Sequence, residues 1–192
     1  SSLSFETITL QNALELQAGA RVSDSLIVEA NGFMSGVGIS YEENALLYFD
    51  SGGEYTINAD NALWNAGNWP ESGVPYHVEV AGSSPLNIFA GRSTGGNFTV
   101  GAGQNVIQGN NAFSVGGNAT IEGEFSFVND GAQAFSVAGA LSVAAGGSLS
   151  LSQTGGGDLT IGGDFSVSGD FTSNGRALLF NGDGAQSFSH DL

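Results

Sequence analysis

From residue 113 onward the chain repeats a triplet in which a Ser or Thr lies between two apolar residues. Side chains alternate along a strand, so each triplet predicts a very short strand with two inward apolar residues and one outward hydroxyl. Gly, Asn or Asp separates most triplets and predicts tight corners. The triplets are 113–115 (FSV), 119–121 (ATI), 125–127 (FSF), 135–137 (FSV), 141–143 (LSV), 149–151 (LSL), 159–161 (LTI) and 165–167 (FSV).

A longer period groups the triplets in threes. Phe113 and Phe135 are 22 residues apart, Phe135 and Leu159 are 24 apart, and Leu159 and Leu179 are 20 apart. The pattern predicts an all-β fold, a parallel β-solenoid (β-helix) with about three short strands per coil of roughly 20–24 residues. Apolar residues one coil apart would then form an inward ladder of Phe113, Val115, Phe135, Val137, Leu159, Ile161 and Leu179.

An antiparallel β-sandwich is the alternative fold for a chain with many short strands. Strands in sandwiches usually have about five to six residues. The triplets are shorter and therefore favour the solenoid.

The whole chain, residues 1–192, is predicted to form a single elongated solenoid domain. Residues 3–60 carry the strand pattern in a looser form, and residues 61–76 (NALWNAGNWPESGVPY) interrupt it. The interruption holds both Trp and two of the three Pro, which predicts a loop excursion over one face of the rod. Because no terminal helix that would cap a solenoid is visible, we expect the chain to be a segment cut from a longer repeat array.

The charge balance restricts the partners. The chain has 19 acidic residues, three Arg and no Lys, and its formal net charge is −16. Nucleic acids and anionic membrane surfaces would be repelled, and no apolar run is long enough for membrane insertion. The absence of Cys excludes disulfides and thiolate metal sites.

Enzymes that cleave polysaccharides are the activity to test first on a parallel β-helix. A hydrolase needs two carboxylates at a defined separation on one face. Asp158, Asp164 and Asp170 are six residues apart and are predicted at successive corners, pointing in different directions. A lyase needs clustered cationic groups, whereas the three Arg are isolated in the sequence. We therefore predict a non-enzymatic chain.

Calcium is the one cofactor for which the sequence contains a partial motif. The runs 155–158 (GGGD) and 162–164 (GGD) resemble part of the Gly-rich nonapeptide that binds Ca²⁺ between coils. Their unit has six residues where that motif needs nine, so these Asp residues are predicted to be corner residues bonded to their own backbone. We expect no cofactor.

One aromatic pattern and one hydroxyl pattern leave alternative binding functions open. Trp64, Trp69 and Tyr76 are candidates for an aromatic platform that contacts a glycan, although Trp in such a loop also anchors it to the rod. Outward Ser and Thr rows are an alternative surface for ice binding, which requires a regular Thr-x-Thr ladder. His77 and His190 have no partner at metal-ligand spacing.

Two stretches resemble repeats in very large secreted surface proteins of Bacteroidetes, which include gliding-motility adhesins of the SprB type and related cargo of the type IX secretion system. They are residues 63–80 (LWNAGNWP and GVPYHVEV) and residues 178–188 (LLFNG and QSF). The resemblance implies an extracellular, cell-surface stalk or adhesin segment. Its implied partners are neighbouring repeats of the same polypeptide and an extracellular surface or glycan.

Overall fold

The strands of this protein run parallel, and each pairs with strands about one coil earlier and later in the chain. A computed structural model describes the strand backbones between residues 3 and 57, then Trp69, Val74 and residues 76–81, 85–88, 90–127 and 134–191. Most of the predicted loop excursion, including Trp64, lies outside these residues. The described residues form strands, bends and turns but no helix. Accordingly, this part of the chain contains no helix able to cross a membrane.

Three sheets form the sides of the solenoid, and we call them the first, second and third faces. The first face contains β10 (Arg92–Thr94), β13 (Phe113–Val115), β16 (Phe135–Val137), β19 (Leu159–Ile161) and β22 (Leu178–Phe180). The second contains β2 (Ala13–Leu16), β4 (Phe33–Gly36), β7 (Glu54–Ile57), β8 (His77–Val80), β11 (Phe98–Val100), β14 (Ala119–Ile121), β17 (Leu141–Val143), β20 (Phe165–Val167) and β23 (Phe188–His190). The third contains β9 (Leu86–Ile88), β12 (Asn105–Gln108), β15 (Glu124–Phe127), β18 (Ser148–Ser150) and β21 (Asp170–Thr172).

From β8 onward the chain visits the three faces in turn, so each coil contributes one strand to each face. This confirms the predicted parallel β-solenoid with three strands per coil. On these three faces coil lengths run from 19 residues, between Val106 and its partner Phe125, to 24 residues, between Phe135 and its partner Leu159. A fourth sheet near the start of the chain contains β1 (Leu3–Leu10), β3 (Ala20–Val28), β5 (Ser40–Tyr41) and β6 (Leu46–Phe49).

The core is a set of apolar rows that follow the rod axis. In most three-residue strands the outer two side chains are buried and the middle one is partly exposed, as the triplets predict. On the first face Phe113 lies opposite Phe135, and their rings stack with centroids 5.7 Å apart. Phe125 of the third face meets both rings edge-on. Six of the seven predicted ladder residues are buried, namely Phe113, Val115, Phe135, Val137, Leu159 and Ile161.

The seventh ladder residue was predicted wrongly. Leu159 pairs with Leu178, not with Leu179, which lies opposite Thr160. A register shift of one residue moves a side chain to the other face of a strand. Leu179 therefore points outward and is 49% exposed, whereas Leu178 packs against the core.

Side-chain acceptors join successive coils at the corner that precedes the second face. We call this set, His77, Asn97, Asn118 and Asp164, the corner column. The Asn97 N–H donates to Nδ1 of His77 over 2.8 Å, and the Asn118 N–H donates to Oδ1 of Asn97 over 3.0 Å. The next two donors are the Ala140 N–H, to Oδ1 of Asn118 over 2.9 Å, and the Ser187 N–H, to Oδ1 of Asp164 over 2.8 Å.

Glycines of the following coil make room for these side chains. A Cβ atom on Gly117 would lie 2.6 Å from Oδ1 of Asn97, and a Cβ on Gly139 would clash with Oδ1 of Asn118. Each of these two amides therefore needs a Gly one coil later. The backbone of the preceding coil is also close at this corner, since a Cβ on Gly163 would lie 2.7 Å from the Ala140 nitrogen.

Candidate functional site

Two of the three aromatic residues predicted as a platform, Trp69 and Tyr76, do not lie together on the surface. Trp69 is a core residue that is 1% exposed, and its indole N–H donates to the carbonyl of Ser93 over 2.8 Å. Its ring meets that of Phe113 edge-on at 5.7 Å. Tyr76 is 39% exposed and contacts the ring of His77. Trp69 therefore anchors its segment inside the solenoid and offers no face to a ligand.

The coil that begins at Arg92 has a partly polar interior. Arg92 and Gln108 occupy inward positions that Phe113 and Phe127 occupy one coil later, and both polar side chains are buried. Gln108 donates from Nε2 to the Asn111 carbonyl, while its Oε1 has no donor within the described part of the chain. Arg92 is thus packed inside the rod and is not presented to a ligand in solution.

The three aspartates lie at three different corners of one coil, as the sequence predicts. Asp158 precedes β19, Asp164 precedes β20 and Asp170 begins β21. Two of them bond to the backbone of the next coil and not to their own, which corrects the predicted role. Oδ1 of Asp158 accepts from the Ala177 N–H over 3.0 Å. Within the described residues, His, Asp and Glu side chains form no group of three that could share a metal ion.

Asp164 has a lowered pKa. The backbone N–H of Ser187 donates to its carboxylate, and the Ser187 hydroxyl adds a second favourable hydrogen bond. Both interactions favour the ionised carboxylate and outweigh the small opposing effect of burial. The ionised carboxylate therefore links two successive coils through these hydrogen bonds.

The outward hydroxyls of the second face form one row along the rod axis. Thr99, Thr120, Ser142 and Ser166 lie opposite one another in successive coils. Each of these strands has three residues and presents one outward side chain, so the strands themselves supply a single hydroxyl per coil.

Between residues 101 and 169, corners of two lengths alternate between the second and third faces. The corners at 101–104 and 144–147 have four residues, whereas those at 122–123 and 168–169 have two. The short corner at 122–123 therefore lies between two projecting corners, which leaves an open cleft of about 350 Å³. We call it the corner cleft, and it is lined by Gly103, Gln104, Asn105, Gly123, Glu124, Gly146 and Ser148.

Strand pairing sets the width of the corner cleft. Glu124 lies on the floor, opposite Asn105 of one wall and Ser148 of the other. The two walls are two strand spacings apart, about 9.6 Å. Gly103 and Gly146 in the projecting corners have φ angles of 73° and 85°, a conformation that favours Gly and leaves these corners without side chains.

Polar side chains in the cleft are hydrogen-bonded to each other but have further hydrogen-bonding capacity. Nδ2 of Asn105 donates to Oε2 of Glu124 over 3.2 Å, which orients both groups. The Oδ1 atom of Asn105 is buried and accepts no hydrogen bond from the described residues. The site thus combines a carboxylate, two carboxamides and a hydroxyl around one open volume.

Sequence reasoning missed this cleft, although a signal for it exists. The inward residues that flank the corner are six apart at Val100 and Val106 but four apart at Ile121 and Phe125. The same difference recurs in the next two coils. A register assigned coil by coil would therefore have revealed the unequal corners.

Comparison with protein families, with curated proteins and with solved structures found no match to this chain.

Proposed function

We propose that this chain is a non-enzymatic structural segment of an exported cell-surface protein, in which the solenoid serves as a rigid spacer or adhesive stalk. The observation that carries the proposal is the long apolar core. Inward Phe, Leu, Ile and Val residues are buried on all three faces between residues 98 and 167, and Gln108 is a polar exception. Most of the chain's apolar side chains in this range serve the stacking of coils.

The arrangement of the three faces favours stiffness. Bending a solenoid lengthens the hydrogen bonds on the outer side of the bend, and each coil here has paired strands on three sides of the core. Bending in any direction therefore acts against one hydrogen-bonded sheet. The corner column adds side-chain bonds between coils.

The surface and the sequence resemblance favour an extracellular position. A net charge of −16 with no Lys keeps the rod soluble and away from anionic polymers. Residues 63–80 and 178–188 resemble repeats of secreted Bacteroidetes adhesins, whose stalks present binding segments outside the cell. Neighbouring repeats and an extracellular surface are the partners that this function requires.

Surface labelling tests the location. An antibody raised against residues 134–191 is applied to intact and to permeabilised cells of the source, before and after treatment with an external protease. We expect labelling of intact cells that the protease removes. Labelling that appears only after permeabilisation would contradict an extracellular role.

Distance measurement tests the rigidity. The chain has no Cys, so cysteines introduced at Ala81 and Ser168 are the only sites for spin labels. These residues directly follow strands of the second face four coils apart, so we expect one narrow distribution near about 19 Å between the backbones, before the length of the labels is added. A broad distribution would exclude a stiff rod, whatever the result of the labelling experiment.

A further inference from the structure

We propose that the corner cleft is a binding site for one neutral sugar unit of a glycan. The proposal does not rest on the spacer function, because a rod without this site would still separate the parts that it connects. Three features of the cleft carry it: its width, the chemistry of its walls and the unpaired acceptor within it.

The size and the donor set of the cleft fit a sugar ring better than an ion. The walls that hold Asn105 and Ser148 are about 9.6 Å apart, on either side of the strand that holds Glu124. Ca²⁺ sites take about six to eight oxygen ligands, commonly with several carboxylates, whereas Glu124 is the only carboxylate among the lining residues. A pyranose ring carries hydroxyls around its whole circumference and can contact both walls and the floor together.

The polar groups of the cleft match hydroxyls in kind. Glu124 accepts hydrogen bonds, Ser148 donates and accepts, and Gln104 and Asn105 present carboxamides that do both. Sugar hydroxyls also donate and accept, so one ring can satisfy this mixture. The carboxylate of Glu124 and the net charge of −16 disfavour uronates, sulfated sugars and phosphates.

A bound ligand would supply a hydrogen-bond donor to the unpaired acceptor of Asn105. Asn105 is oriented by its bond to Glu124, which leaves Oδ1 without a donor among the described residues. Buried polar atoms are normally hydrogen-bonded. Because Oδ1 is buried, the Asn105 carboxamide must turn toward the cleft for Oδ1 to accept a hydrogen bond from a ligand hydroxyl.

The expected affinity is weak. The lining residues include no aromatic ring on which a sugar could stack, and a monosaccharide has only about 12 non-hydrogen atoms with which to gain binding energy. We therefore expect a millimolar dissociation constant. Many such rods on one surface would raise the overall strength of adhesion through multivalency.

The test is an NMR titration of the ¹⁵N-labelled protein. The probes are methyl β-D-glucoside, methyl β-D-galactoside and methyl α-D-mannoside, each added up to about 100 mM, well above a millimolar dissociation constant. We expect at least one of them to give saturable shifts of the Asn105, Glu124 and Gly146 amide signals. The amides of the first face serve as an internal reference.

Two variants and one matched control define the site. Glu124→Phe fills the cleft and removes the carboxylate, so binding should become undetectable. Glu124→Gln keeps an acceptor for Asn105 and should weaken binding about threefold to tenfold through loss of the charged hydrogen bond. Asp170→Phe makes the same change at the equivalent position two coils later, where only one projecting corner is adjacent, and should leave the affinity unchanged.

Several outcomes would overturn the proposal. The first is the absence of saturable shifts at the cleft with all three glycosides, and the second is equal binding by the wild type and a folded Glu124→Phe variant. If Glu124→Phe does not fold, the comparison of Glu124→Gln with the wild type decides, and an unchanged affinity rejects the site. If CaCl₂ gives saturable shifts and none of the three glycosides does, the cleft is a cation site instead.

Discussion

The corner column has one missing member, and restoring it should stabilise the protein. Ala140 lies between Asn118 and Asp164 in the column and has no side-chain acceptor to offer to the Asp164 N–H. The next coil already contains Gly163 at the position where Gly117 and Gly139 make room for the earlier amides. Ala140→Asn should therefore place a carboxamide in a gap that the backbone already provides.

The magnitude follows from one hydrogen bond. A net intramolecular hydrogen bond contributes about 0.5–1.5 kcal/mol, and ordering the Asn side chain offsets part of this gain. We expect a net stabilisation of about 0.5–1 kcal/mol, which corresponds to an increase in Tm of about 1–4 °C for a domain of this size. The reverse change, Asn118→Ala, should destabilise by a similar amount because the Ala140 N–H loses its acceptor.

Hydrogen exchange gives the assay its local readout. In Ala140→Asn the exchange of the Asp164 amide should slow by about twofold to fivefold, the factor that corresponds to this free energy. Ala145→Asn is the matched control, because it adds the same side chain at an exposed corner outside the column. Unchanged exchange at Asp164, together with an unchanged Tm in both column variants, would refute the view that the column stabilises the stack.

Three further predictions address the core, the corners and the charge. Phe135→Ala should reduce the free energy of unfolding by about 3–5 kcal/mol. Leu179→Ala should change it by about 0.5 kcal/mol or less, since that side chain points outward. Urea denaturation that shows a similar loss of stability for both variants would contradict this register. Gly147→Ala should strongly destabilise the protein because its Cβ would clash with a carbonyl of the preceding coil. Gly155→Ala has open space around its Cβ and should leave the stability almost unchanged. Thermal unfolding of the two variants tests this difference. Because folding lowers the pKa of Asp164, its contribution to stability is complete above a pH of about 4 and is lost as the pH falls through the lower folded pKa. Asp164→Asn should therefore flatten the dependence of the urea midpoint on pH below about 4, and an unchanged slope would mean that the carboxylate does not stabilise the stack.

The sequence predicted those parts of the fold that depend on alternation within a strand and on the spacing of coils. Phe113 and Phe135 each begin an apolar-Ser-apolar triplet, and only one register buries both apolar residues of each triplet. The same logic failed at Leu179 because residues 178–180 (LLF) are all apolar. Either Leu can then face inward, and the choice depends on hydrogen bonding with β19, including the bond from Leu159 N–H to the Ala177 carbonyl.

Features that depend on where a loop folds were beyond the sequence pattern. Trp69 belongs to an irregular segment with no period, so its entry into the core could not be inferred from the spacing of residues. Its position follows from a partner far along the chain, the Ser93 carbonyl, and from the ring of Phe113. The corner cleft likewise needs corners from three successive coils, which become neighbours only when the register of every coil is known.

The alternation of long and short corners along residues 101–169 gives one edge of the rod a different repeat from the core. The core repeats with every coil, but the corners between the second and third faces repeat with every second coil over this range, as the 46 residues between Glu124 and Asp170 show. A genetic duplication or deletion of one coil here would keep the apolar rows in register, yet it would place two long or two short corners side by side and disrupt the pattern of clefts. Over this range the core therefore tolerates a change of one coil, whereas this edge of the rod is kept only when coils are gained or lost in pairs.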